Sequence, residues 1–357
     1  MALAASLALA GCDAGEPHVQ PIDAPNPNVV DVLAFDDAGD AVSLGPSPTR
    51  TVAANTSFRI RFDRFLLPSS VIRQAVCIQA HLGTVLTLDD CTMPVSLEAS
   101  YDPVTREAIF RLQKPSEASD IIPLEAGGTY QLTVLQPTTD PASTGFRSFD
   151  GAGLEEPKSF EFKVSTAKPG PEPDPTPTGD QFCAAPAGGA SADIVFTTTC
   201  GASAGCHVNR DGVGAAMDLQ LSAPSGAPEQ IVEAVQRTAI NHVAHQTMIG
   251  EHAARVEDLP SRFGRAMPIV EPNAPGNSYL LYKLLLGVDA ATGKPFVEAD
   301  EAERLREAFV VGMPMPAYAS TPHAGAPPAK AISAATLEQL SVWIQAGAEL
   351  PTGGTCP

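Results

Sequence analysis

Residues 196–207 (FTTTCGASAGCH) carry two thiols and an imidazole in the order used for covalent haem attachment. Cys200 and Cys206 are the thiols, and His207 directly follows the second. Thiols can bond the vinyl groups of a porphyrin while a histidine nitrogen binds the iron. The usual motif has two residues between the cysteines, whereas five small residues lie between these two. The segment therefore predicts either a haem site with an enlarged loop or a disulfide between Cys200 and Cys206, with His207 an exposed polar residue.

A second iron ligand is available downstream, in the segment GMPMP at residues 312–316. Its alternating prolines exclude a helix. A methionine from such a loop can bind the open face of a haem iron, and this raises the reduction potential. Ligand chemistry alone does not separate Met313 from Met315.

Zinc binding is a weaker alternative. His242 and His245 are three residues apart, and with Cys200, Cys206 and His207 they have the ligand types of a zinc site. Helical histidines at this spacing are more often solvated, which is the preferred interpretation here. The sequence contains no His-Glu-x-x-His pair and no phosphate loop, and we predict no enzymatic activity.

The charge of the chain excludes one class of partner. The chain has 22 basic and 41 acidic residues, a formal net charge of −19, and no basic run. Binding to nucleic acid requires clustered Lys and Arg, so none is expected. Hydrophobic residues make up 44% of the chain, which is enough for packed cores.

The N-terminus (MALAASLALAGC) is a short apolar run that ends in Leu-Ala-Gly-Cys. This ending resembles the lipobox of bacterial lipoproteins, which implies cleavage before Cys12 and lipidation of its thiol. Residues 1–12 are too short to span a membrane as a helix, so membrane contact is expected through lipid only. Residues 13–30 are rich in Pro, Asp and Asn, as in a flexible tether. We therefore expect a periplasmic or surface-facing envelope protein in an oxidising compartment.

Residues 31–167 have the pattern of an all-β domain. Period-two alternation at 57–62, 130–134 and 159–164, with Gly and Pro between the segments, predicts a β-sandwich. The order of these features resembles bacterial Ig-like domains of envelope proteins, which implies a spacer or adhesion role. Cys77 and Cys91 bound a hairpin-like excursion, and we expect a disulfide between them.

Residues 168–180 (KPGPEPDPTPTGD) are predicted to be a semi-rigid interdomain linker, because prolines at alternate positions favour an extended chain. The following region, 181–357, has helical apolar spacing at 230–254, 277–286 and 334–346. Ser333 is the expected N-cap of the last helix, and Gly347 its stop. Cys183 and Cys356 lie at the two ends of the region, and their position suggests a disulfide.

The second region contains four sequence segments in a characteristic order: Cys…Cys-His, PGNSYLLYKLL, GMPMP and LEQLSVWIQAGA. Together they resemble the cytochrome c-like domain of bacterial envelope lipoproteins. The resemblance implies a mainly α cytochrome c-like domain after the Ig-like sandwich. It also implies thioether bonds from Cys200 and Cys206, a proximal His207 and a distal Met313, with Met315 as fallback.

Two functions follow as expectations. The first is an envelope electron-transfer protein with one covalently bound haem c, which would exchange electrons with a redox partner protein. The second is a haem-free interaction or scaffold module, in which Cys200 and Cys206 form a disulfide and the partner is another envelope protein.

Overall fold

The fold comes from a computed structural model. It describes residues 24–45, 49–80, 82–92, 95–113, 124–138, 143–171, 181–200, 207, 221, 231–244, 267–308, 310, 315, 332–352 and 356. The predicted lipidation site Cys12 and residues 13–23 of the predicted tether lie outside these residues.

Nine strands form two sheets. The strands are β1 (Val29–Phe35), β2 (Ala41–Ser43), β3 (Arg50–Val52), β4 (Phe58–Phe62), β5 (Val76–Gln79), β6 (Leu97–Asp102), β7 (Glu107–Leu112), β8 (Thr129–Val134) and β9 (Lys158–Val164). One sheet has the order β2-β1-β4-β7-β6 and the other β3-β9-β8-β5.

The two sheets pack face to face because alternate side chains along the strands are apolar. In β4, Phe58, Ile60 and Phe62 are buried while Arg61 is exposed. The ring of Phe58 contacts that of Phe162 in the opposite sheet, with 5.2 Å between the centroids. These residues belong to one hydrophobic core that draws on both sheets, as in a sandwich.

The strand order is that of an immunoglobulin-type sandwich. Strands β1, β4, β7 and β6 take the places of A, B, E and D, and β5, β8 and β9 those of C, F and G. The short β3 pairs parallel with β9, whereas the other pairs are antiparallel. The predicted Ig-like β content is therefore present.

The sandwich has two distinct ends. At the first, β4 ends at Phe62, β6 ends at Asp102 and β8 ends at Val134. The helices pack here, so we call it the interface end. At the other, the distal end, β5 ends at Gln79 and β9 at Val164.

Three short 3₁₀ turns (Pro68–Ser70, Arg73–Ala75 and Leu88–Asp90) lie within the sandwich region, whereas the α-helices of the described chain follow residue 190. They are α1 (Ala192–Ile194), which continues as a π-helical segment (Val195–Cys200), then α2 (Ile231–Thr238), α3 (Tyr279–Leu285), α4 (Ala299–Ala308) and α5 (Ala334–Gln345). None of the described helices is long and apolar enough to cross a membrane.

The predicted fold class is wrong. The chain is a mixed structure with two β-sheets and short helices, 25% helical, and its second region is not a mainly α cytochrome c-like domain. The segments with helical apolar spacing form helices of only two or three turns each. Pro and Gly residues separate them, and isolated β-bridges such as Ile240 with Val270 connect the intervening chain.

The predicted helix at 230–254 shows the error most clearly. Helix α2 ends at Thr238, and Asn241 adopts φ +57°, a left-handed conformation that does not continue a helix. By contrast, α3 and α5 lie where periodicity placed them. Ser333 accepts a hydrogen bond from the amide of Thr336 (3.2 Å), and Gly347 follows α5 with φ +95°, as expected for a helix stop.

Both expected disulfides outside the haem-like motif are present. Cys77 bonds Cys91 with 5.9 Å between the Cα atoms, and Cys183 bonds Cys356 with 5.4 Å. The first closes the excursion after β5, and the second joins the two ends of the helical region.

Candidate functional site

Cys200 is the last residue of the π-helical segment that extends α1. It is 7% exposed and belongs to the core that also contains Phe182 and Phe196. Single π-turns in helices are frequent at functional sites because they displace the helix surface locally. The first predicted haem thiol is therefore an interior side chain.

His207 is also buried, with 7% of its surface exposed. Its amide donates a hydrogen bond to the carbonyl of Cys200 (3.1 Å), and its carbonyl accepts one from the amide of Leu221 (2.7 Å). The backbone at His207 therefore returns to Cys200 in spite of the long insertion. Cys206 lies outside the described residues, so its pairing is not part of this geometry.

Aromatic rings fill the core beside Cys200. Trp343 of α5 lies 5.3 Å from Phe182 and 6.0 Å from Phe196, measured between ring centroids. The indole N–H of Trp343 donates to the carbonyl of Glu349 (2.9 Å). Trp343 is therefore a core residue, held by packing and one hydrogen bond.

Of the two predicted methionine ligands, Met315 is described and Met313 lies outside the described residues. Met315 is half-buried and packs against the same core that contains Cys200. Its amide donates to the carbonyl of Lys283 in α3 (3.2 Å). A Cβ at Gly287 would lie 3.1 Å from the Met315 carbonyl oxygen, so the chain passes close to the end of α3.

Lys283 is an unexpected buried cation at this position. It is 6% exposed, and burial, together with the charge of Arg306, lowers its pKa to about 8. Desolvation of an ammonium group has this effect because it penalises the charged form. The sequence places Lys283 in the middle of an apolar run, where periodicity gives no sign of its burial.

The described residues do not support the zinc alternative. His242 is exposed and lies after the end of α2, while His245 is outside the described residues. Among the described residues, no group of three or more His, Cys, Asp or Glu side chains could hold a metal ion.

A second polar site lies where the helices meet the interface end of the sandwich. Arg64, just after β4, is 6% exposed at its side chain. Its Nη2 bonds Asp150 Oδ2 at 2.7 Å, and its Nε bonds Glu301 Oε2 of α4 at 3.0 Å. The other oxygen of Glu301 accepts the amide of Phe65 at 3.0 Å. One guanidinium therefore connects both regions of the chain.

A buried carboxyl group lies in the same interface. Asp102 Oδ1 accepts hydrogen bonds from the hydroxyl of Ser341 in α5 and from the amide of Val104, both at 2.8 Å. Burial raises the pKa of Asp102, although these hydrogen bonds lower it in part. Two carboxylates, Asp102 and Glu301, thus link the sandwich to α5 and α4.

Close packing accompanies these polar contacts. The ring of Phe65 meets that of Tyr282 edge to face, with 6.0 Å between centroids. A Cβ at Gly276 would lie 2.7 Å from Tyr101 Cδ1, so a side chain there would clash. Phe65 and Phe149 of the sandwich belong to the core of the helical region.

Sequence reasoning missed this interface site. Arg64 and Glu301 are 237 residues apart, and neither belongs to a recognisable motif. The only local signal is that Arg64 directly precedes three apolar residues, Phe65 to Leu67, and a charge next to a buried apolar segment must be paired if it is itself buried.

Comparison with known proteins adds little. No protein-family model matches the chain, and no curated protein matches it. Among solved structures, the N-terminal part of the bacterial S-layer protein SbsC is 16% identical over 41% of this chain and 25% of that chain, with a TM-score of 0.24. Domains 1–6 of SbsC give 16% identity, 41% and 15% coverage and a TM-score of 0.25. The chain thus spans a quarter or less of these structures, and such weak similarity assigns neither fold nor function.

Proposed function

We propose that this protein is a haem-free scaffold or interaction module of the bacterial cell envelope, tethered through lipid on Cys12. Its partner would be another envelope protein, and it would perform no catalysis. In such a module, the sandwich and the helical region hold surfaces in a fixed arrangement for other proteins.

The observation that carries this proposal is the bond from Arg64 to both Asp150 and Glu301. A buried arginine between two carboxylates is costly unless all three groups stay paired. Separation of the two regions would break the buried pair between Arg64 and Glu301, which opposes relative movement. A chain whose function is to present surfaces benefits from this coupling.

Haem staining of purified protein tests the proposal. The protein would be produced in a bacterial host that carries cytochrome c maturation genes and separated on a denaturing gel. We expect no covalent haem signal, and we expect mass spectrometry of the unreduced protein to find Cys200 and Cys206 in one linked peptide. A haem signal that disappears in Cys206→Ser would contradict the proposal.

A second candidate is electron transfer by a covalent haem c on Cys200 and Cys206. The hydrogen bond from the His207 amide to the Cys200 carbonyl favours it, because this bond brings the histidine back to the first cysteine across the five-residue insertion. In this function His207 would bind the iron on one face, and Met313, or Met315 in its place, on the other. The same stain distinguishes the two functions.

A further inference from the structure

The two regions of the chain meet through two polar connections of different chemistry. The first joins helix α4 to the sandwich: Glu301 accepts hydrogen bonds from Arg64 Nε and from the amide of Phe65, both at 3.0 Å. The second joins helix α5 to β6, where the hydroxyl of Ser341 donates to Asp102 Oδ1 at 2.8 Å. The first connection pairs two opposite charges, whereas the second has a neutral donor. The two connections should therefore respond differently to acid.

The α4 connection depends on the charge of Glu301. A guanidinium keeps its positive charge at any pH at which proteins fold, so Arg64 does not lose its charge together with its partner. Hydrogen bonds between charged groups are about twice as strong as those between neutral groups, and a buried charge is stable only while it is paired. A proton on Glu301 would therefore weaken the link between α4 and Arg64.

Arg64 has a second partner inside the sandwich. Asp150 bonds Arg64 Nη2 at 2.7 Å. Burial by itself would raise the pKa of Asp150, but hydrogen bonds from Arg64 and Ser148 and the charge of Arg64 hold it below its usual value. Asp150 thus stays charged to a lower pH than an ordinary carboxyl group does. Arg64 therefore remains paired within the sandwich when the charge of Glu301 is lost.

The α5 connection does not require a charge. Asp102 Oδ1 accepts hydrogen bonds from the hydroxyl of Ser341 and from the amide of Val104, both at 2.8 Å. Burial raises the pKa of Asp102, so this group takes up a proton more readily than an ordinary carboxyl group does. A protonated carboxyl group keeps an oxygen that accepts hydrogen bonds. The contact between β6 and α5 should therefore persist in acid.

Further contacts on the α5 side are independent of pH. The side-chain amide of Gln345 in α5 donates to the hydroxyl of Ser100 in β6 at 3.4 Å, and neither group titrates. Gly276 packs so closely against Tyr101 that a Cβ at Gly276 would lie 2.7 Å from the Tyr101 ring. These contacts hold β6 to the helical region beside Asp102.

Other charged or titratable groups near the two connections do not reverse this behaviour. The cations are arginines, which stay charged, and burial raises the pKa of both tyrosines, so the tyrosines stay neutral in acid. Glu107 pairs with Arg59 at 3.2 Å within one sheet of the sandwich. Among the described residues, these groups are Arg59, Tyr101, Arg106, Glu107 and Asp150 of the sandwich and Tyr282 and Arg304 of the helical region.

We propose that the interface end is an acid-operated hinge: acid releases α4 from Arg64, while β6 stays bound to α5 and forms the pivot. This inference rests on the proposed scaffold function and describes how that function is regulated. At neutral pH both connections hold the regions together, and in acid the α4 side opens. Opening would expose the rings of Phe65 and Phe149, which are buried in the core of the helical region.

Exchange of the Phe65 amide hydrogen with deuterated solvent tests the hinge in the intact protein. This amide donates to Glu301 across the interface, so its exchange reports opening of the α4 side. Nuclear magnetic resonance measures its rate, which is divided by the rate for an unfolded peptide at the same pH. The Leu67 amide is the internal reference, because it donates to the Arg147 carbonyl within the sandwich at 2.8 Å.

Glu301→Gln removes the charge and keeps the shape of the side chain. At pH 7 we expect this variant to raise the exchange rate of the Phe65 amide about tenfold, because hydrogen bonds to charged groups are stronger than neutral ones. Lowering the pH from 7 to 4, where carboxyl groups take up protons, should raise the rate in the parent and have little effect in this variant. Glu298→Gln alters an exposed side chain just before α4; it is the matched control and should change nothing.

Ser341→Ala distinguishes a hinge from complete separation of the regions. In a hinge, the contact between Ser341 and Asp102 is intact in the closed and the open state, so its loss should leave the exchange of the Phe65 amide unchanged. Complete separation would break that contact, and Ser341→Ala would then raise the rate. Phe65→Leu should raise exchange at position 65 severalfold, because opening also separates this side chain from the ring of Tyr282.

Three results would overturn the inference. The first is Glu301→Gln without effect, and the second is Ser341→Ala with an effect as large as that of Glu301→Gln. The third is Phe65→Leu without effect, which would mean that only the hydrogen bond of the Phe65 amide breaks. An equal rise at the Leu67 amide would also overturn the hinge, because the sandwich itself would then be opening. All of these results leave the scaffold function in place, whereas a covalent haem signal would contradict that function.

Discussion

Arg64 in the β-sandwich and Glu301 in helix α4 form a buried ion pair, with 3.0 Å between Nε and Oε2. Both side chains are less than a tenth exposed, at 6% and 9%. Arg64 also bonds Asp150 within the sandwich. The pair ties regions that are far apart in sequence into one folded unit.

Glu301→Ala should destabilise the whole molecule. The substitution leaves the Arg64 charge with only one carboxylate in a buried site, and breaking a buried ion pair typically costs ~3–5 kcal/mol. The free energy of unfolding in urea measures the loss. Arg61→Ala is the control, since Arg61 pairs with Asp31 at 3.9 Å on the surface, and exposed pairs contribute ~0–1 kcal/mol. Equal effects of the two variants would show that the interface pair does not couple the regions.

Asp150 should make the fold less stable in acid. Burial by itself would raise the pKa of Asp150, but hydrogen bonds from Arg64 and Ser148 and the charge of Arg64 outweigh it and hold the pKa below its usual value. The folded pKa is therefore lower than the unfolded one. The contribution to stability is present above the unfolded pKa, near ~3.9, and is lost as the pH falls through the folded pKa. Urea unfolding between pH 6 and 2, compared with Asp150→Asn, measures this loss; the variant should have the shallower acid limb.

Asp102 should have the opposite pH dependence. Burial raises its pKa, so the folded state binds this proton more tightly than the unfolded state does. Its contribution to stability is fully present below the unfolded pKa and is lost as the pH rises through the folded pKa. Asp102→Asn keeps an oxygen for Ser341 and carries no charge. We expect this variant to match or exceed the parent's stability at pH 7. A clear loss at pH 7 would mean that the charged form is needed.

Gly276→Ala should weaken the interface through steric overlap alone. The added methyl would lie 2.7 Å from Tyr101 Cδ1 and 3.3 Å from the Tyr101 carbonyl oxygen, and overpacking of this kind costs ~1–3 kcal/mol. Gly45→Ala is the matched control, because no atom lies within 4 Å of a Cβ there. Thermal unfolding of both variants measures the difference in their melting temperatures. An unchanged melting temperature for Gly276→Ala would show that neighbouring atoms move to accommodate the methyl group.

The sequence predicts the β-sandwich better than the helical region. Alternation in β4 and β9 reports directly which face is buried, because strand side chains have a strict period of two. The two disulfide pairings follow from position within regions. The excursion after β5 is also visible as a loop, although the exposure of its Leu82 and Leu86 is not, since it depends on where Val85 packs against Cys77 and Leu135.

The arrangement of the helical region could not be predicted from such a local pattern. Short apolar phrases such as that of α3 are compatible with many arrangements, and the resemblance to a cytochrome c-like domain supplied an architecture that the chain does not adopt. Burial of Lys283 and the pairing of Arg64 depend on contacts between residues far apart in sequence. No local pattern encodes such contacts.

The bond between Cys183 and Cys356 has a consequence for proteolysis. The two cysteines are 173 residues apart in sequence, and their bond closes the intervening chain into one covalent ring. A single backbone cut within the ring therefore leaves both fragments attached to each other. A nicked molecule in an oxidising compartment would migrate as an intact chain until a reductant opens the ring. Backbone cleavage there need not release any fragment of the protein.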